Sequence, residues 1–155
     1  GHTPAAAAAE LKQKRATFII AEPMAALQEW HRKHLPDSTP LADPRVVLED
    51  DCGPSSLARH SGTLHAVLLH LDASPMGPRN RPWVDDRRWL SAAYEALQAG
   101  GLLAIAGSRP VANLTRNIQR SGFEVAEFSV PSSPGAKKPR LLPIWLARKG
   151  KPRVD

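Results

Sequence analysis

The chain has 155 residues, 42% of them apolar, and a formal charge of +6, which leaves room for one globular domain with a core but not for two of ordinary size. No apolar run approaches the roughly 20 residues a bilayer requires, the first residues lack a secretory pattern, and a single cysteine excludes both an internal disulfide framework and a cysteine-built zinc cluster. The expected organisation is one domain over residues 1–150, a basic tail at 151–155, no membrane partner and a reducing, cytoplasmic setting.

Residues 4–14, PAAAAAELKQK, are strong helix formers opened by a proline suited to a first turn. Thr17 to Ile20 favour a strand. The segment MAALQEWHRKH then repeats apolar residues at helical spacing, with Glu22 as cap and Pro23 in the first position. After a turn-rich stretch, Arg45 to Leu48 read as a short strand that stops on the acidic run EDD, and residues 54–60 as a turn or two of helix. Ala66 to Leu71 is the most apolar strand; it runs into Asp72 and a loop stiffened by Pro75, Pro78 and Pro82.

Asp85 and Asp86 sit where helix-start acids belong, and Trp89, Ala93 and Leu97 make an apolar stripe that ends at Gly100-Gly101. Leu102 to Ala106 form the next strand. Pro110 opens a helix with Val111, Leu114 and Ile118 on one face and Gly122 as its stop. FEVAEFSV and PIWLAR close the chain as two strands joined by a loop without a helix, so they should run antiparallel.

Strands separated by helices predict an α/β fold: a doubly wound, mostly parallel sheet with helices on both faces, in three αβα layers, completed by the antiparallel pair. In such sheets ligands bind at the carboxyl ends of the strands. That rule collects Gly1 to Thr3, Glu22, Asp50 with Asp51, and His70 with Asp72.

The order of these pieces, GHTPAAAAAEL, TFIIAEPMAALQEWHRKH, PLADPRVVLEDD, LLHLDASPMGP, LQAGGLLAIAGS and SGFEVAEF...PIWLARKG, resembles class I S-adenosylmethionine-dependent transferases of Rossmann-like fold, and within them the spermidine synthase-like branch. The resemblance covers nearly the whole chain. It implies S-adenosylmethionine, or its decarboxylated form, as cofactor. Glu22 would then accept hydrogen bonds from the ribose hydroxyls, a plain helix cap being its competing role. Asp51, with Asp50 beside it, matches the acid that binds the adenine amino group, and Cys52 lies next to the ring. Gly1 matches the last glycine of the nucleotide-binding loop. The rest of that loop and its preceding central strand are not in the sequence, which reads either as the downstream part of a longer protein or as a shortened domain whose second and fourth strands close up.

In the resembled family the fourth strand ends in an acid-rich loop, because the attacking amine is protonated in water and must lose a proton before it becomes nucleophilic. Here one acid of the pair is missing. His70 falls on the first position in an ungapped reading and Asp72 on the second; with one deletion Asp72 takes the first. Both are candidate catalytic residues, His70 as a base at neutral pH. Arg79 and Arg81, in the following loop, would repel a polyamine and suit an anionic substrate or mere solvation.

The functional expectation is therefore transfer of an aminopropyl or methyl group to a small-molecule acceptor, a polyamine or other. The rivals are a methyltransferase acting on a small molecule or RNA, and a non-catalytic relative kept as an interaction domain. Family members often form homodimers. The basic excess suits a nucleic acid, yet aromatics are only 5% and do not interleave with basic residues, so a solvated basic tail is the simpler reading. His31 and His34, three apart on a helix with no third ligand nearby, give no metal site, and Trp30, Trp83, Trp89 and Trp145 read as packing residues.

Overall fold

A computed structural model describes residues 2–34, 40–72, 76–77, 81–133, 135 and 137–150. Two compact units divide the chain, Gly1–Cys52 and Gly53–Asp155.

The first unit contains α1 (His2–Glu10), β1 (Phe18–Ala21), α2 (Ala25–His34) and β2 (Val46–Glu49). β1 and β2 pair in parallel from Phe18 opposite Val46 to Ala21 opposite Glu49. None of the described side chains in this unit is fully buried, so no apolar core accounts for it among the described residues. Arg45 supplies the alternative. Its guanidinium grips Asp43 through Nε at 3.0 Å and Nη2 at 2.7 Å. It also donates to the carbonyls of Ala8 at 2.8 Å and of Leu11 at the end of α1, and lies 5.0 Å from the centre of the Phe18 ring. Carbonyls at a helix C-terminus lack intrahelical donors and carry partial negative charge, so a cation there satisfies both needs.

The second unit follows the order α3 (Pro54–Ala58), β3 (Leu64–His70), β4 (Met76–Gly77), β5 (Arg81–Pro82), α4 (Arg87–Ala96), β6 (Leu97–Ala106), α5 (Leu114–Arg120), β7 (Phe123–Pro131) and β8 (Leu141–Lys149). Its main sheet has the strand order β3-β6-β8-β7. β3 and β6 are parallel, whereas β8 runs antiparallel to both β6 and β7. Strands alternating with helices thus pair in parallel and the closing pair is antiparallel, as the sequence predicts. Within the first unit β1 pairs with β2, and within the second β3 pairs with β6.

The core lies here. Leu90, Ala93, Leu103, Ile105, Leu114 and Ile118 are 0% exposed, and Trp145 1%. The Trp145 Nε1–H lies 3.1 Å from both Thr115 Oγ1 and Glu127 Oε2, while the Thr115 hydroxyl donates to the same Glu127 oxygen at 3.0 Å. That triangle clamps α5 to β7 and β8 and satisfies the one polar atom of a buried indole.

Several boundaries differ from the sequence-based expectation. α4 is capped by Asp86, whose carboxylate accepts from Arg88 N at 2.8 Å, but it stops at Ala96 rather than at the glycine pair. Leu97 turns into β6 because its side chain is fully buried opposite Leu64 and its carbonyl accepts from Lys149 Nζ at 2.8 Å. Residues 98–101 then bulge out, with Gly100 at φ +79, before pairing resumes at Leu102. α5 begins at Leu114, not at Pro110, after Asn113 in the left-handed region at φ 61. Within the proline-rich loop, Met76–Gly77 and Arg81–Pro82 pair as a small antiparallel hairpin. Of the four tryptophans expected to pack, Trp83, Trp89 and Trp145 do, whereas Trp30 is 51% exposed on α2.

Candidate functional site

The register of the parallel pair decides which side chains meet at the carboxyl edge of the second unit. His70 lies opposite Ala106, and Leu71 N extends the ladder by donating to Ala106 O at 2.8 Å. Two residues beyond each strand end, Asp72 and Ser108 therefore face each other. Ser108 Oγ donates to Asp72 Oδ1 at 2.7 Å. Gly107 makes the approach feasible, since a Cβ there would sit 3.0 Å from Leu71 Cδ1.

Asp72 is held in its charged form. The Ser108 hydroxyl is the main cause of a carboxyl pKa below the usual range, helped by the Ser108 amide and the charges of His70 and Arg109, against partial desolvation. His70 Nδ1 stands 3.8 Å from Asp72 Oδ2, too far for a hydrogen bond but close enough for Coulomb attraction, and both side chains are open to solvent. Arg140 donates from Nη2 to the Ser108 carbonyl, bringing a second guanidinium to this edge. A carboxylate whose pKa is depressed is a poor proton acceptor and a good fixed anion. Its chemistry is to orient a donor rather than to strip a proton.

In the first unit Glu22 follows β1 and extends its ladder, with N donating to Glu49 O at 2.8 Å. Its carboxylate is partly the helix cap: Oε1 accepts from Met24 N at 2.9 Å, just ahead of α2. Oε1 accepts this bond, and a carboxylate's second oxygen has acceptor capacity for a ribose hydroxyl. Beside Glu22, Gln28 and His31 border a cavity of about 60 Å³; this volume holds a few waters, not a nucleoside. Asp50 is exposed just beyond β2, with Asp51 and Cys52 half-buried after it. These carboxylates are hydrogen-bond acceptors, the type of group that a nucleoside's hydroxyl and amino groups would need. Gly1 and Arg79 lie outside the described residues.

Sequence reasoning singled out Asp72 and His70, and the structure brings those two together. It missed Ser108, Arg109 and Arg140. Ser108 had a legible signal, a hydroxyl two residues past the strand that neighbours β3; Arg140 comes from the far loop between β7 and β8 and had none.

Neither a family model nor a curated relative matches the sequence. Solved structures do match. Spermidine synthase from Thermotoga maritima superposes with a TM-score of 0.64 at 17% identity, covering 86% of this chain and 45% of that one. A spermidine synthase in complex with the transition-state analogue AdoDATO gives 0.62 at 16% identity, again over 86% and 45%. A variant of the 16S rRNA (adenine(1408)-N(1))-methyltransferase from Catenulisporales acidiphilia gives 0.65 at 16% identity over 98% of this chain and 82% of that one. The chain spans 45% of the length of the spermidine synthases it matches. By architecture, then, the chain shares the Rossmann-like fold of these solved spermidine synthase and rRNA methyltransferase structures.

Proposed function

We propose that the chain belongs to an S-adenosylmethionine-dependent transferase, and that the group it moves is methyl. The observation that carries the reading is Asp72 at the carboxyl edge of β3 and β6, fixed by Ser108 and kept anionic among guanidiniums. Glu22 and Asp50 with Asp51 and Cys52 are the residues that would hold the nucleoside. When bound, S-adenosylmethionine supplies a carbon activated by its sulfonium.

Methyl is preferred to aminopropyl transfer on electrostatic grounds. A dicationic polyamine needs paired acids and a competent base. Asp72 is one acid, weakened as a base, with Arg109 and Arg140 close by. A neutral or anionic acceptor, RNA included, suits this edge better, and one of the solved structures of the same fold is named as an rRNA methyltransferase. Aminopropyl transfer from the decarboxylated cofactor to a polyamine is the second reading, favoured by the spermidine synthase likeness.

Transfer assays with the full gene product separate the two. Methyl label from S-adenosylmethionine should appear on RNA or on a small anionic acceptor, and Asp72→Asn should lower turnover while leaving cofactor binding unchanged. Aminopropyl transfer to putrescine, in strong preference, would establish the second reading; undiminished turnover in Asp72→Asn would remove the role given to Asp72.

A further inference from the structure

On the second unit, Arg81, Asp85, Ala112, Asn113, Arg116, Asn117 and Arg120 border an open cavity of about 470 Å³. Its construction follows from helix geometry. Leu114 and Ile118 face the core at 0% exposure, and Thr115 is tied to Glu127, so α5 is fixed with its other face outward. Residues 113 and 117, and 116 and 120, then recur one turn apart on that outward face. Arg81 of β5 lines the same cavity.

Three guanidiniums against one carboxylate is an unusual balance for a merely solvated helix face. Solvated helices gain from opposite charges four residues apart, and like charges at that spacing cost stability. α5 reads LTRNIQR, without one acidic residue. Among the described residues no ion pair engages Arg81, Arg116 or Arg120, so their charge is available to a ligand.

We infer that this groove binds the sugar-phosphate backbone of single-stranded RNA. Guanidiniums are the side chains best matched to phosphate oxygens, offering planar paired donors. Arg116 and Arg120 lie a full turn apart and share the lining with Arg81, which suits successive phosphates along a chain better than one phosphate seated at a point. The side-chain amides of Asn113 and Asn117 interleave with the guanidiniums; an amide carbonyl can accept from a 2′-hydroxyl, the group that distinguishes RNA from DNA. No aromatic ring lines the groove, so bases do not stack there and recognition is of backbone rather than of sequence. The purpose, holding an acceptor for methyl transfer, rests on the reading above, whereas the binding itself needs no cofactor.

Fluorescence anisotropy of a labelled 20-nucleotide RNA of mixed sequence, titrated with the chain over a range of KCl and without S-adenosylmethionine, tests this. Arg116→Gln with Arg120→Gln should weaken binding about tenfold or more at low salt and reduce the slope of log affinity against log salt by about 0.7 for each lost contact. The charge-matched control Lys12→Gln with Arg32→Gln lies on exposed positions of the first unit and should leave the slope close to wild type. Asn117→Leu should narrow the preference for RNA over DNA of the same sequence. Circular dichroism confirms that each variant is folded. Equal losses in groove and control variants, equal affinity for DNA, or binding to phosphatidylserine vesicles without binding to RNA would each overturn the proposal. RNA binding lost with the groove while cofactor titration fails would retain the groove and sink only the transferase.

Discussion

Ser108 Oγ donates a 2.7 Å hydrogen bond to Asp72 Oδ1 across the carboxyl ends of two neighbouring parallel strands. The hydroxyl is the largest reason that the Asp72 carboxyl titrates below the ordinary range. Ser108→Ala should therefore move the Asp72 midpoint upward, read by carbon-detected NMR of its carboxyl group. Because the folded pKa is depressed, the stabilisation from ionised Asp72 is present above the unfolded pKa and fades as pH falls through the folded one. An unchanged midpoint in the variant would show that Ser108 does not hold this charge.

Arg45 holds Asp43 at a pKa of about 2, first by its side-chain hydrogen bonds. An unfolded aspartate titrates near 3.9, so the contribution of the pair is complete above about pH 4 and is lost as pH falls to about 2. The Phe18 amide, which donates to Arg45 O at 2.9 Å, should lose hydrogen-exchange protection across that window. Arg45→Ala should lose it already at neutral pH, because the α1 carbonyls and Asp43 then lack their shared donor. Equal protection in variant and wild type at pH 7 would contradict this account. With no fully buried side chain, the first unit should also open at lower free energy than the second.

Trp145 predicts the opposite behaviour for the second unit. Trp145→Ala removes a fully buried ring and should cost about 3–5 kcal/mol in urea unfolding followed by circular dichroism. Thr115→Val removes one of the two acceptors of the indole N–H and should cost about 1 kcal/mol. If Thr115→Val is neutral, Glu127 alone satisfies Trp145.

What the sequence made legible were features set by local rules. The acid-capped start of α4, the alternation of strands and helices, the antiparallel closing pair and the position of Asp72 at a strand end all follow from spacing and residue type. What it hid was settled by partners distant in sequence. Leu97 has the look of a helix's last apolar residue, and only Leu64 and Lys149 make it a strand. Arg45 reads as a strand's first residue and is the clamp of its unit because Ala8 and Leu11 come to it. Nothing local sets the arginines of α5 apart, and only the burial of Leu114 and Ile118 fixes which way they face.

Isothermal calorimetry of the full gene product with S-adenosylmethionine, its decarboxylated form and methylthioadenosine tests the central claim most directly. Heat of binding should appear with S-adenosylmethionine and methylthioadenosine, and Glu22→Gln should weaken both about tenfold, as loss of a charged hydrogen-bond acceptor implies. No binding of any of the three at millimolar concentration would contradict the transferase reading.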